Sequence, residues 1–392
     1  MATRAALEKL VELCIRERAA FLIIAGDLYD HDCPNMQTAV FLRGQLARLA
    51  RCGIRTVIVK GNHDADNRIT SALELPARIL SDRVPDVVLL DDLPVRVAIH
   101  GQSFRKGPMR DNLAAAYRPP VPGCLNIGLL HTSLAGDSEH AEYAPCALSD
   151  LQTKGYGYWA LGHIHKPTVI GRDPWIVYPG NLQGRHAKET GPKGCFLVEA
   201  EGMRVLSAEH VALDVFRWQQ VAVDLAGAGC EDEIYERARA AIGDARKGCD
   251  GLPGAIRITL CGRTLLHRDL RARPLRLRQT LLELAEDIGE GSLWVERITD
   301  ETVPAEPSAA DPAEVGAAAD ILALAREIAA DRQRLEPLLR AALQPLRSKL
   351  PEELKAVGAL ALLDDPPGAC EAVCRLVPML GARLFSSKQS PG

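Results

Sequence analysis

Several short apolar runs of this chain each lead into side chains that bind metal ions. The five ligand candidates are Asp27, Asn62, His131, His163 and His165, and the apolar runs before them are residues 21–25, 56–59, 126–130 and 158–161. Because α/β sheets place their sites in the loops at the carboxyl ends of strands, we expect these side chains to meet. Such oxygen and nitrogen donors suit Mn²⁺, Fe²⁺ or Zn²⁺.

The order of the elements predicts an α/β fold. Apolar residues recur at helical spacing near the N-terminus and again over residues 36–52, on either side of the apolar run at 21–25. A run that is apolar throughout is typical of a strand buried on both faces in a parallel sheet. Residues 85–200 are rich in predicted strands and end in a hairpin around Gly202.

A chain of 392 residues predicts two to three domains. We expect a first domain at 1–215 and a second α/β unit at 216–300, followed by a proline-rich linker at 301–316 and a helical tail at 317–392.

Composition excludes several classes of protein. The net charge of −4 and the 4% aromatic content argue against a polycation or a single-strand stacking platform. No apolar run approaches the roughly 18 residues of a membrane span. The eleven cysteines include no Cys-x-x-Cys pair, which favours reduced thiols in a cytoplasmic protein.

Taken singly, these motifs have ordinary structural explanations. A Gly-Asp pair is usually a turn, and a lone histidine after an apolar strand, such as His131, is usually a core residue. The Gly61–Asp64 segment also suits a turn, whereas two histidines beside Gly162 rarely arise for packing alone. Their occurrence in this order, each after a predicted strand, favours a metal centre.

The pattern resembles the calcineurin-like metallophosphoesterases, and more narrowly the SbcD-like DNA repair exonucleases of the YhaO-like branch. The matching segments are Gly26–Asp30, Gly61–Asp64, His131, Gly162–His165, 100–104, 128–133, 143–146 and 178–186. The resemblance is close to about residue 215, weaker to about 300 and thin in the tail. It implies a sandwich of mixed sheets flanked by helices, with a small α/β capping domain and a helical C-terminal tail.

The resemblance also implies a role for each site residue. Asp27 would bridge two divalent ions, with Mn²⁺ the expected ion. Asn62, His131 and His163 would complete the shell of the second ion, and His165 would bind the first. The catalytic His63 would steady the transition state and help the leaving oxygen depart, and Asp30 would orient a neighbouring side chain.

One motif of the resembled family is missing. No Asp-x-His precedes Asp27, so this chain offers the first ion only Asp27 and His165. Either the start is misplaced or the chain is truncated, or the protein is a degenerate member that binds one metal or none and serves as a scaffold. Loss of a neighbouring strand would expose the apolar run at 21–25, which favours the first explanation. We expect this polypeptide to be weakly active or inactive.

Substrate and partner contacts are less specified. Six arginines between residues 263 and 280, including Arg271 and Arg273, form either a phosphate-binding patch or a solvated surface. Arg185 and His186 could also meet phosphate. The resemblance implies DNA as substrate and a large SbcC-like coiled-coil ATPase as partner of the tail, and dimerisation stays open.

Two alternatives to a DNA exonuclease remain. One is a phosphomonoesterase or small-molecule phosphodiesterase, and the other is a non-catalytic scaffold that binds DNA ends or the ATPase.

Overall fold

The computed structural model describes residues 2–29, 36–66, 74–105, 111–134, 144–305, 317–349 and 376–377. The chain divides into two compact units, which are Met1–Gln219 with Cys249–Ala255, and Gln220–Gly248 with Ile256–Gly392. Among the described residues, no helix has the length and apolar character needed to cross a membrane.

The first unit is built from five helices and eleven strands in its described part. The helices are α1 (Ala2–Arg16), α2 (Met36–Arg51), α3 (Asn62–Asp66), α4 (Leu113–Ala116) and α5 (Leu148–Gln152). The strands are β1 (Phe21–Ile24), β2 (Arg55–Ile58), β3 (Arg78–Ile79), β4 (Asp86–Leu90), β5 (Val97–Gly101), β6 (Leu125–His131), β7 (Tyr158–Gly162), β8 (Thr168–Arg172), β9 (Trp175–Tyr178), β10 (Gly194–Glu201) and β11 (Arg204–Ala212). The helices predicted before and after residues 21–25 are confirmed as α1 and α2, and the predicted hairpin is confirmed as β10 and β11.

Two sheets of this unit face each other across a shared core. One is parallel, in the order β1-β2-β3, and the other has six strands in the order β4-β5-β6-β7-β9-β8. Ile23 and Val57 of the first sheet pack with Ile99 and Leu129 of the second. Since alternate strand residues point to opposite faces, Leu22 packs instead against the layer of α1 and α2. The mixed α/β sandwich flanked by helices is therefore confirmed.

Strand β1 is less buried than its sequence predicts. It pairs in parallel with β2 and lies at one end of its sheet, and all four of its side chains are half-buried. Both faces of the strand are covered, one by the second sheet and one by the helix layer, but its side chains are not fully buried, so the expectation of a buried strand is confirmed only in part. An apolar run shows that a strand is buried in part, whereas its depth depends on which strands lie beside it.

The second unit contains a three-stranded sheet with helices against one face. Its elements are β12 (Arg217–Asp224, which begins at the end of the first unit), α6 (Glu231–Lys247), β13 (Gly254–Cys261), β14 (Arg263–Thr264), α7 (His267–Ala272), α8 (Pro274–Gly289), β15 (Leu293–Asp300), β16 (Val303–Pro304), α9 (Ala317–Ala330) and α10 (Arg332–Lys349). The sheet order is β12-β13-β15. Ile256, Ile258 and Leu260 are fully buried while Arg257 and Thr259 between them are half-buried, as period-2 alternation requires.

The segment predicted as a linker begins with paired backbone. Val303 and Pro304 of β16 pair in parallel with Arg263 and Thr264 of β14. Residues 306–316 lie outside the described part of the chain. The tail predicted as helical contains α9 and α10.

Candidate metal centre

Ends of strands from both sheets bring the predicted ligands together. Asp27 follows β1, Asn62 begins α3 after β2, and His131 is the last residue of β6. His131 pairs in register with Gly162 of β7, directly before His163, and the rings of His131 and His163 meet edge to face with centroids 5.4 Å apart.

The fully buried imidazole of His131 contacts three oxygen atoms. Its Nδ1 lies 2.8 Å from the carbonyl oxygen of Ala25, and its Nε2 lies 3.0 Å from Oδ1 of Asn62 and 3.5 Å from Oδ2 of Asp27. A carbonyl oxygen only accepts hydrogen bonds, so Nδ1 carries a proton and donates to Ala25. Burial lowers the pKa of His131, and the charge of Asp27 opposes that shift. The neutral ring therefore turns the lone pair of Nε2 toward the oxygens of Asn62 and Asp27.

Three electron-pair donors that face one another are stabilised by a cation between them. Ligand atoms about 2.1 Å from an octahedral ion lie about 3.0 Å apart, which is close to the separation of His131 Nε2 and Asn62 Oδ1. Within the described ranges, no three His, Cys, Asp or Glu side chains are grouped so that they could hold an ion. The fit to a divalent metal therefore depends on the mixed set of Asp27, Asn62 and His131, whose donor types suit such an ion.

Two of the predicted ligands have an unfavourable backbone conformation. Asp27 has φ 55° and His163 has φ 99°, a region that residues with a Cβ rarely adopt. Such conformations persist where the surrounding structure enforces them, and they cluster at functional sites. Their occurrence at two predicted ligands supports a functional role for this cluster.

Asp64 joins the two loops that carry Asp27 and Asn62. Asp64 is 1% exposed, and its Oδ1 accepts from the Tyr29 N–H and its Oδ2 from the Gly61 N–H, both at 3.1 Å. Burial, the largest cause, raises the pKa of Asp64 to about 6, while the hydrogen bonds with these backbone groups lower it. Sequence reasoning gave Asp64 no role, although it lies in a recognised motif.

We expect Asp64→Ala to lower the free energy of unfolding by about 2–6 kcal/mol, because two buried N–H groups lose their acceptor at about 1–3 kcal/mol each. Asp64→Asn keeps one acceptor oxygen and should cost less. Urea unfolding of the metal-free protein measures both, with Asp287→Ala, at an exposed position of α8, as the control. Equal stabilities for the Asp64→Ala variant and the control would exclude this bridging role.

His165 contacts a carboxylate that sequence reasoning missed. Its Nδ1 lies 2.7 Å from Oε1 of Glu189, whose side chain is 5% exposed, and Oε2 of Glu189 accepts from the Arg185 N–H at 2.7 Å. Burial by itself raises the pKa of Glu189, but hydrogen bonds from His165 and Arg185 outweigh it and hold that pKa at about 2. Glu189 is therefore an anion beside a predicted ligand.

The structure describes three of the four other residues predicted to act near this centre. The backbone N–H of His63 donates to Oδ1 of Asp27 at 3.2 Å, so His63 adjoins the predicted bridging ligand. The half-exposed side chains of Arg185 and His186 lie 3.7 and 3.4 Å from Oε1 of Glu189. Asp30 lies outside the described residues.

The arginines predicted to meet phosphate differ in their surroundings. Nε of Arg271 lies 3.2 Å from Oδ2 of Asp300, and both side chains are half-buried. Arg276 pairs with Glu231 at 2.9 Å, whereas Arg273 is exposed. Of the two predicted phosphate contacts, Arg271 and Arg273, Arg273 is thus the more exposed.

Comparison with known proteins places two family matches on the chain. Residues 2–167 match the calcineurin-like phosphoesterase family, and residues 218–303 match the middle domain of metallophosphoesterase YhaO. The Bacillus subtilis (strain 168) protein named uncharacterized metallophosphoesterase YhaO is 34% identical over 306 residues, covering 76% of this chain and 74% of that protein.

Proteins named as nucleases or repair proteins are similar at lower identity. The DNA double-strand break repair protein Mre11 of Methanopyrus kandleri is 28% identical, with 59% of this chain and 56% of that protein covered. The SbcD component of the SbcCD nuclease from Staphylococcus epidermidis is 23% identical, with 57% of this chain and 66% of that protein covered. The resemblance inferred from the motifs is confirmed.

Proposed function

Since the chain belongs to the calcineurin-like metallophosphoesterases of the YhaO type, hydrolases that act on phosphoester bonds, we propose that it cleaves DNA phosphodiester bonds with divalent metal ions, as an exonuclease in DNA repair. The observation that carries this proposal is the buried Nε2 of His131, which faces the oxygens of Asn62 and Asp27. A cation between these donors would stabilise the site, and a bound divalent cation can neutralise phosphodiester oxygens.

The ions proposed are two Mn²⁺, held unequally by this chain. Asp27, Asn62, His131 and His163 would hold one ion, while Asp27 and His165 would hold the other. When bound, such ions lower the pKa of water and neutralise phosphate oxygens. Asp27 suits the shared position because its carboxylate offers two oxygens. We therefore expect one tight and one weak Mn²⁺ per chain.

His63 is proposed to act on the substrate rather than on a metal. His63 is the second residue of α3, and its backbone N–H donates to Oδ1 of Asp27, so its imidazole starts next to the proposed bridging carboxylate. A half-buried imidazole at this place can donate a proton to the departing oxygen of a phosphodiester.

The names of the relatives support DNA as the substrate, since one is a double-strand break repair protein and another is part of a nuclease. We further propose a cytoplasmic protein whose tail helices α9 and α10 dock on a coiled-coil ATPase of the SbcC type. Homodimer formation is a separate proposal, which light scattering of the purified protein would test.

A substrate comparison tests the proposed function. Because this chain offers the first ion only two ligands, we expect weak activity of the purified protein with Mn²⁺. It should still release nucleotides from linear DNA faster than it hydrolyses p-nitrophenyl phosphate or its diester, and EDTA should abolish both activities. Faster hydrolysis of the monoester would favour a phosphomonoesterase. A protein that binds DNA ends but neither Mn²⁺ nor hydrolysable substrate would be a scaffold, and either result would contradict the proposal.

We expect Arg273→Glu to weaken DNA binding and to reduce the slope of log K against log salt by about 1, the share of one phosphate contact. Arg271→Glu is a poorer probe, because it also breaks the ion pair with Asp300. Fluorescence anisotropy at several salt concentrations measures the slope, with the exposed Arg83→Glu as the control. If both variants behave alike, Arg273 belongs to the solvated surface.

A further inference from the structure

We propose that Glu189 is a positioning residue that holds His165 with its proton on Nδ1, leaving Nε2 as the nitrogen that binds the ion. This inference rests on the proposed function, and it concerns a residue that no recognised motif contains. Its basis is the 2.7 Å contact between Oε1 of Glu189 and Nδ1 of His165.

The chemistry of the partners fixes the direction of this hydrogen bond. An ionised carboxylate only accepts, so the proton between the two atoms belongs to Nδ1 of His165. The guanidinium of Arg185 lies 3.4 Å from the same nitrogen, but it has no lone pair with which to accept a proton. Glu189 is therefore the acceptor that selects the tautomer.

Glu189 is itself held in place. Its side chain is 5% exposed, and Oε2 accepts from the Arg185 N–H at 2.7 Å, so the carboxylate cannot turn away from His165 without losing a buried hydrogen bond. The main chain of His165 is fixed as well, because its carbonyl oxygen accepts from Asn181 N at 3.1 Å and from Lys193 Nζ at 3.3 Å. Both partners of the contact are thus preorganised.

His131 provides an internal comparison. Its Nδ1 donates to the neutral carbonyl oxygen of Ala25, and its Nε2 faces Asn62 and Asp27. The two histidines therefore share one arrangement, in which Nδ1 donates a hydrogen bond to a protein oxygen and Nε2 remains available to an ion. A charged acceptor makes an imidazole a stronger electron donor than a neutral one does. His165, the histidine with the carboxylate partner, is the proposed ligand of the first ion, for which this chain supplies only Asp27 and His165.

The tautomer of His165 can be measured without metal. Two-bond ¹H–¹⁵N correlation spectra at about pH 8, where an ordinary histidine is neutral, should show His165 protonated on Nδ1 in the native protein. In Glu189→Ala, His165 should shift toward the Nε2-protonated form that an unconstrained imidazole prefers. Glu189→Gln keeps an acceptor oxygen and should retain the native tautomer.

Metal affinity provides the second readout. Titration with Mn²⁺ should show that the site to which His165 contributes, the weaker of the two, binds about 10- to 100-fold more weakly in Glu189→Ala. The loss should be smaller in Glu189→Gln, and the exposed control Glu201→Gln should keep the native affinity. The proposal is overturned if native His165 carries its proton on Nε2, or if Glu189→Ala keeps both tautomer and affinity. A native protein that binds no Mn²⁺ would contradict the proposed function, while the tautomer of His165 still decides the role of Glu189.

Discussion

Replacing Asp27 with asparagine is expected to remove high-affinity Mn²⁺ binding and to slow DNA hydrolysis on the order of 10³-fold, which corresponds to about 4 kcal/mol in the activation free energy. The reason is that Oδ2 of Asp27 is the charged donor facing Nε2 of His131, and this chain offers Asp27 to both proposed ions. An amide keeps the shape of the side chain but removes its negative charge and half of its acceptor oxygens.

The fold should tolerate this change, because the described hydrogen bond to the Asp27 side chain is a single one, from the His63 N–H. Calorimetric titration with Mn²⁺ and a nuclease assay on linear DNA measure the two effects. Asp287→Asn, at an exposed position of α8, is the matched control. Native metal affinity and native activity in Asp27→Asn would remove Asp27 from the site.

Gly162→Ala is expected to destabilise the protein by about 3 kcal/mol and to lower activity on the order of 10²-fold. A Cβ at position 162 would lie 1.8 Å from the carbonyl oxygen of Ala25 and 2.8 Å from Nδ1 of His131. These two atoms form the hydrogen bond that orients the His131 ring. The added methyl group must therefore displace the backbone before Asp27, the histidine, or both.

The same glycine-to-alanine substitution at Gly44 should stabilise the protein rather than destabilise it. No atom lies within 4 Å of a Cβ built there, and the residue is exposed in the middle of α2, so Gly44→Ala should raise stability by up to about 1 kcal/mol. Thermal or urea unfolding compares the two variants. If Gly162→Ala were as stable and as active as Gly44→Ala, the close packing of Ala25, His131 and Gly162 would not define the site.

Local patterns predicted much of the fold and the location of the site. The periodicity of residues 36–52 predicted α2, and the apolar run before His131 predicted β6, because both signals depend on side chains close in sequence. Ligand-type residues after successive strands predicted a common site, since parallel strands end at one edge of a sheet. The structure places Nε2 of His131 3.0 Å from Oδ1 of Asn62 and 3.5 Å from Oδ2 of Asp27.

What the sequence left open depends on contacts between distant residues. Strand β1 is half-buried because it lies at one end of its sheet, and its four apolar residues alone do not predict that position. Glu189 lies 24 residues after His165, between Lys188 and Thr190, where a surface position would be expected. Its spacing from Arg185 and His186, just after the Pro179–Asn181 turn, is the signal that could have identified it.

The most direct test of this account is a crystal structure of the protein grown with Mn²⁺ and measured at the manganese absorption edge. We expect an anomalous peak within about 2.5 Å of both a carboxylate oxygen of Asp27 and Nε2 of His131. A structure with Mn²⁺ bound elsewhere, or with Nε2 of His131 still in direct contact with Asn62 and no ion beside it at saturating Mn²⁺, would contradict the proposed metal centre.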